Sequence, residues 1–536
     1  MNGPGLRLVE AMMRPEFYPH RPARVEVKQT HMSYVFLADD FVYKIKKPVN
    51  FAFADCSKLD SRYLLCCDEV RLNRRLAPEI YLGVAPIFAR DGKFVLGEED
   101  QVLDHGVQEY AVKMRRLPDE RMLDRAVRSG EVTGDLINSL AKRLAGFHRG
   151  ASTAAAWRYG SAPAIWRTVF GNLKEIERFA GYTATDFQIA AIKDYLKRFI
   201  NAHWELFNDR LAQGRVREGH GDLRCEHVCL IDGIQIFDCL EFSEPLRYGD
   251  VAADLAFLAM DLDALDAPYL ADDLITAYAN ETSDEALATL ITFYKCYRAC
   301  VRGKVESLKS LENEVPPPQR EAACESAHGY FSLAHRYALR GRPALVIVCG
   351  LAGTGKSTMS RILRNRTGFE ILSSDRTRKR LAEAEEITPT TSTYGAGIYS
   401  PAFDRLTYDR LLADAQARLR DGRGVIIDAT FKRLDDRRRA LAIGAQAGVP
   451  VLFIECQAEE REVVRRLHER TKKGDSLSDA TAEVYLSQRV DFAPITEVRA
   501  RHHLVVDTGA PRERTLDSIE SALRDLFHPD DHAGGG

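Results

Sequence analysis

The apolar run Ala344-Leu-Val-Ile-Val-Cys349 leads directly into Gly350-Leu-Ala-Gly-Thr-Gly-Lys356-Ser357, and a helix-compatible stretch, Thr358 to Leu363, follows. Six apolar residues in succession fit a parallel strand buried on both faces. Strand, glycine-rich turn and helix start in this order let backbone N–H groups close around phosphate oxygens. Gly350, Gly353 and Gly355 shape the turn, and Thr354 and Thr358 belong to the same nucleotide-binding segment. Lys356 is placed to reach the β- and γ-phosphates, and the Ser357 hydroxyl to ligate Mg²⁺. The stretch predicts an α/β P-loop NTPase domain with a parallel sheet that binds ATP or GTP.

Two further strands downstream end in an acid. Ile371-Leu-Ser-Ser-Asp375-Arg-Thr-Arg378 opens a basic helix, and Gly424-Val-Ile-Ile-Asp428 is a second buried run. Strand C-termini of a parallel sheet face the ligand crevice, which brings Asp375 and Arg378 to it. There Asp375 would orient or deprotonate an acceptor hydroxyl and Arg378 would grip a substrate anion, although an Asp helix cap with a solvated arginine has the same pattern. Asp428 would hold Mg²⁺ through water or position the acceptor. Arg466 and Arg470 lie four apart on one helical face.

The order P-loop, D-x-x-R, strand aspartate and arginine-rich helix resembles the P-loop class of small-molecule and polynucleotide kinases, and most of all kinases related to polynucleotide kinase and zeta toxin. The resemblance implies that Asp375 is the acceptor-side base and that Arg466 and Arg470 form a lid over the transferring phosphoryl group. Ile398 to Leu419 also matches the family pattern. The acceptor stays open, because this class spans sugars, nucleotides and nucleic-acid ends.

At 536 residues the chain exceeds one ordinary core, and about 150 residues per domain suggests about three folding units. A net charge of −3 gives no whole-chain basic footprint for nucleic acid, leaving a local groove as the route to such a partner. Eleven scattered cysteines read as reduced thiols. The N-terminus lacks a signal-peptide core and no window approaches a membrane span, so the expectation is a cytoplasmic protein with no membrane partner.

The first half has its own phosphate-handling pattern. His220-Gly221-Asp222-Leu-Arg-Cys-Glu-His227 is followed, after a strand and a Gly233 turn, by Ile236-Phe-Asp238. Two aspartates on successive loop-strand elements serve phosphoryl transfer, one beside the acceptor hydroxyl and one on Mg²⁺. Upstream, Ser33 to Lys46 reads as a hairpin with Asp39-Asp40 at its turn, and Asp68 to Leu76 as a helix. H-G-D followed by a hydrophobic-Asp pair resembles the aminoglycoside phosphotransferase family, a branch of the protein-kinase-like fold. The resemblance makes Asp222 the catalytic aspartate, Asp238 the metal ligand, Lys44 the strand lysine on the α/β-phosphates with Lys46 as fallback, and Glu69 its partner acid. Glu109 to Met114 matches the hinge strand and Leu144 to His148 the helix before the catalytic loop. The whole order resembles bifunctional aminoglycoside-phosphotransferase-like and ATP-binding proteins.

Two departures stand out. The turn near His31-Met-Ser33 is not glycine-rich, so nucleotide closure would rest on the Ser33 backbone. His227 occupies the place of the family's metal-binding Asn, and imidazole is a poor Mg²⁺ ligand, so Glu226 substitutes, or one metal suffices, or the half is a pseudokinase. Cys225, His227 and Cys229 alternate, which on an extended segment would give a soft-metal face with Cys239 nearby. From Tyr248 to Tyr294 there are ten acids and no Lys or Arg. They read either as a wall attracting a cationic acceptor such as an aminosugar or as a solvated helical face, with Asp250 and Asp254 supporting the catalytic loop.

Pro316-Pro317-Pro318 and Gly341-Arg-Pro343 punctuate the middle. The expected organisation is an α+β protein-kinase-like two-lobed domain over 1–315, with lobes at about 25–115 and 116–315. A linker and interdomain helix over 316–343, a P-loop kinase domain over 344–527 and a disordered tail over 528–536 follow. The function this implies is ATP- and Mg²⁺-dependent phosphoryl transfer to a hydroxyl acceptor by both halves. The alternatives are a P-loop kinase with a substrate-recruiting front half, and a non-catalytic ATP sensor.

Overall fold

In the computed structural model, the described residues are 4–51, 54–99, 106–340, 342–384, 397–473 and 482–527. The expected tail over 528–536 lies outside them. Contacts divide the chain into two units, Met1–Arg178 with Leu196–Tyr330, and Phe179–Tyr195 with Phe331–Gly536. The division falls inside the Pro317–Leu339 helix and assigns a short internal segment to the second unit.

In the first unit six antiparallel strands lie in the order Val25–Gln29, Ser33–Ala38, Phe41–Lys46, Val107–Arg115, Tyr81–Arg90, Lys93–Leu96. The hairpin turns at Asp39-Asp40, with Asp39 at φ +50°. Strand alternation sends Val42, Val112 and Met114 to one face, where Cys66 and Val70 of the Leu59–Asn73 helix cover them. Phe36, Tyr43 and Ile45 face the other side and are covered by Leu8, Met12 and Tyr18. A helical lobe follows, centred on Val251–Ala264, whose side chains are buried almost all round. Together these form a protein-kinase-like half with a curled sheet and flanking helices.

The second unit holds a five-stranded parallel sheet in the order Glu370–Ser373, Val425–Asp428, Leu345–Cys349, Val451–Gln457, His503–Asp507. Leu345, Ile347 and Cys349 point into one core with the Pro401–Arg420 helix, while Val346 and Val348 point into the other with the Lys356–Thr367 helix. Helices on both faces explain the unbroken apolar runs. This is the α/β fold of a P-loop NTPase.

Two candidate phosphoryl-transfer sites

In the first unit Lys44 is the centre. Its Nζ lies 2.8 Å from Glu69 Oε1 and 3.0 Å from Asp238 Oδ1. Burial would lower its pKa, but Asp238 and Glu69 outweigh burial and raise it well above the ordinary value. Lys46, the fallback, shares Glu69 at 2.6 Å and is also paired with Glu241. It is fully buried, which gives Lys46 a structural place and leaves Lys44 the open one. Asp238 sits at φ +63°, its N–H donating to Tyr81 Oη at 3.2 Å, and Cys239 N–H donates to Asn73 Oδ1 at 2.8 Å. Despite its surroundings, Lys44 and His227 hold the Asp238 carboxyl well below its usual range.

The catalytic-loop backbone hangs on one buried carboxylate. Asp254 accepts hydrogen bonds from His220 N–H at 2.6 Å and Gly221 N–H at 2.9 Å, with His148 Nε2 at 3.4 Å. A Cβ at Gly219 would lie 2.2 Å from Asp254 Oδ2, so the approach requires glycine. Asp254 therefore supports the loop as expected, but Asp250 does not: it pairs with Arg210 at 2.8 Å, alongside Asp284 at 2.7 Å. Asp261 accepts from Cys225 N–H, and Asp263 pairs with Lys295 at 2.7 Å. The acidic tract thus divides. Its inner members are engaged by groups distant in sequence, and no acidic wall for a cationic acceptor is built from them.

Three other expectations need correction. Ser33 N–H is taken by Thr30 Oγ1 at 3.0 Å and is not free for phosphate. Cys225–His227 is a 3₁₀ turn, so Cys225, His227 and Cys229 do not share the face of an extended segment. Among the described residues no group of three His, Cys, Asp or Glu side chains converges on a metal position. His227 instead packs between the aspartates, Nδ1 at 2.8 Å from the Asp222 carbonyl oxygen and Nε2 at 3.6 Å from Asp238. Arg224, which sequence reasoning missed, lies 3.3 Å from the Asp222 carboxylate and also contacts Glu226. Burial would raise the Asp222 pKa, but Arg224 foremost, then His227, lower it.

In the second unit Gly350, Gly353 and Gly355 all have positive φ. A Cβ at Gly350 would come within 2.4 Å of the Cys456 carbonyl oxygen, and one at Gly353 within 3.0 Å of Val463 and Leu467. Lys356 Nζ donates to the Leu351 carbonyl at 2.8 Å. Thr354 folds its hydroxyl onto the same carbonyl, and the Thr358 hydroxyl accepts from Arg361. Asp428 is buried, which raises its pKa, partly offset by Lys356 and by a hydrogen bond from Ser357. Asp375 lies near enough to oppose its ionisation, and sits within the first turn of the Ser374–Ala384 helix rather than capping it.

The arginines are distributed differently from expectation. Arg378 is buried, donating to the Ile398 carbonyl at 2.6 Å and Asp404 at 2.7 Å beneath the Tyr399 ring. Its terminal nitrogens hold the 397–404 segment in place of a substrate anion. Arg466 donates to Thr508 Oγ1 at 3.0 Å and to its carbonyl at 2.9 Å, and Thr508 Oγ1 donates to the Thr354 carbonyl at 2.8 Å. That chain links Arg466 to the phosphate loop. The side chain of Arg470 lies outside the described residues.

Each half of the chain matches a family model. Residues 68–289 match the model of the phosphotransferase enzyme family, and residues 345–495 that of the AAA domain. Over 494 residues the chain is 32% identical to "Uncharacterized protein Rv2004c" of Mycobacterium tuberculosis, covering 92% of this chain and 94% of that relative. The Mycobacterium bovis protein Mb2027c matches equally. Among solved structures, the GDP complex of aminoglycoside 2'-phosphotransferase-IIIa aligns over 62% of this chain and 99% of its own, with 14% identity and a TM-score of 0.38. A gluconokinase from Sinorhizobium meliloti aligns over 35% of this chain and 95% of its own, with 19% identity and a TM-score of 0.26.

Proposed function

The chain belongs to the family of the mycobacterial relatives, sharing 92% of its length with them, and we propose that it is a two-site, ATP- and Mg²⁺-dependent phosphotransferase acting on hydroxyl acceptors. The carrying observation is Lys44, held by Glu69 on one side and by Asp238 on the other. A lysine so fixed is aimed at nucleotide phosphates.

In the front half the acceptor oxygen bonds to the γ-phosphorus as the bridging P–O bond breaks. The electron pair leaves on the β-phosphate, and the acceptor proton passes to Asp222. Asp375 takes the corresponding role in the back half, with Lys356 on the phosphates. Oxygen donors suit Mg²⁺, and Asp238 in front and Ser357 with Asp428 behind fit it, where it would neutralise phosphate charge. Arg378 positions the 397–404 segment beside Asp375, and Arg466 braces the loop.

The test is an acceptor screen with γ-labelled ATP, spanning sugars, nucleosides, amino alcohols and polynucleotide ends, run on wild type, Asp222→Ala and Lys356→Ala. The proposal predicts two sets of labelled products, each lost in one variant. A chain that binds ATP stoichiometrically but labels nothing in the panel would favour the sensor.

A further inference from the structure

Building on the reading of the front half as a phosphotransferase, we propose that Arg224 supplies the fixed positive charge for which a second metal ion has no ligands, so that this site holds a single divalent cation at Asp238. The donors around Asp222 decide the matter. The Asp222 carbonyl can only accept, so His227 Nδ1, 2.8 Å away, carries a proton and is turned from any metal. His227 Nε2 lies 3.4 Å from Arg224 Nη2 and 3.6 Å from Asp238 Oδ2. Glu226, the nearest alternative oxygen ligand, is paired with the same guanidinium, and Arg224 Nε lies 3.3 Å from the Asp222 carboxylate. The carboxylates of Asp222 and Glu226, the oxygen ligands nearest a second cation position, are both engaged by Arg224.

The Arg224 side chain is 11% exposed, whereas that of Asp238 is 43% exposed. One position is therefore filled by a buried cation and the other is open to solvent and to a metal. A guanidinium keeps its charge at any working pH and presents several N–H donors in one plane, which suits phosphoryl oxygens beside the base. The His227 exchange and Arg224 then make one arrangement: the imidazole is held by the Asp222 carbonyl instead of binding metal, and the guanidinium lies beside it. Sequence spacing alone gives no sign of this, because an arginine two residues after an aspartate reads as a solvated surface charge.

The test uses the full chain carrying Lys356→Ala, so that nucleotide bound is at the front, with Mn²⁺ as the metal and a non-hydrolysable ATP analogue. Electron paramagnetic resonance counts bound Mn²⁺ per bound nucleotide. One is expected, and two overturns the proposal. In the same background Arg224→Met should reduce the preference for ATP over ADP about tenfold while leaving ADP affinity in place, and Arg224→Lys should retain most of that preference. An unchanged preference in Arg224→Met also overturns it. The Mn²⁺ count needs no change at Arg224 and stands whether or not that variant folds. If the Lys356→Ala chain binds no nucleotide, the reading of the front half as a nucleotide site falls instead.

Discussion

The two sites solve the same electrostatic problem by opposite means. In the front half, Lys44, Lys46, Glu69, Asp238 and Glu241 form one chain of buried or half-buried ion pairs. In the back half, Lys356 rests on a backbone carbonyl, and the site is shaped by three glycines with positive φ. A site made of charges has to be satisfied before any ligand arrives, because an unpaired buried charge costs several kcal/mol. A site made of backbone geometry is satisfied by the fold itself. Losing Glu69, the buried partner of two lysines, should therefore destabilise the front half, whereas losing Lys356 should merely empty the back half.

The largest effect sharpens the division of labour. Asp222→Ala and Asp375→Ala should each lower transfer to their own acceptor by about 10²- to 10⁴-fold, with ATP binding kept, as read by steady-state kinetics. If Asp375→Ala retains turnover within about tenfold, Asp428 becomes the better base.

Stability tests the contrast itself. Glu69→Ala leaves two buried lysines short of a partner and should destabilise the front half by about 3–5 kcal/mol. Lys356→Ala should change stability by less than about 0.5 kcal/mol. All three tryptophans, Trp157, Trp166 and Trp204, lie in the first unit, so their fluorescence during urea unfolding reads Glu69→Ala, and far-ultraviolet circular dichroism of the full chain reads Lys356→Ala in the second unit. Equal losses in the two variants would break the comparison.

A pH dependence should also belong to the front half. Burial pushes His220 down to about 4 from its ordinary 6.5. As pH falls the unfolded chain takes up the proton first, so stability present above pH 6.5 is lost between there and pH 4, by about 3 kcal/mol. His220→Asn should flatten the tryptophan-monitored slope in that window, and an unchanged slope would assign it to another group. The smallest effect is at Thr508→Val, which removes the hydroxyl between Arg466 and Thr354. Back-half nucleotide affinity should fall about five- to thirtyfold by equilibrium binding, since one or two hydrogen bonds are worth about 1 kcal/mol each.

What could be read from the chain follows from whether the signal is local. The strands at Leu345 and Val425 announce themselves because burial on both faces demands apolar runs, and Lys356, Ser357 and Asp428 come with them. Lys44 and Glu69 are 25 residues apart, and their meeting was expected only from the family resemblance, since Glu69 also fits a surface i,i+4 charge pattern. The Tyr81–Arg90 strand was not read, since Gly83 and Pro86 interrupt its pattern, although Asp91-Gly92 is a hairpin signal. Asp250 and Asp284 could not be assigned, because their partner Arg210 lies 40 and 74 residues away. Arg378 was misjudged because a strand end predicts which way a side chain leaves the sheet but not that Asp404 and Tyr399 wait there.

The most direct measurement of the central claim is the nucleotide count. Equilibrium dialysis with a non-hydrolysable ATP analogue should give two nucleotides per wild-type chain, one in Lys356→Ala, one in Asp238→Ala and none in the double variant. A single nucleotide per wild-type chain, abolished by Lys356→Ala alone, would contradict the account.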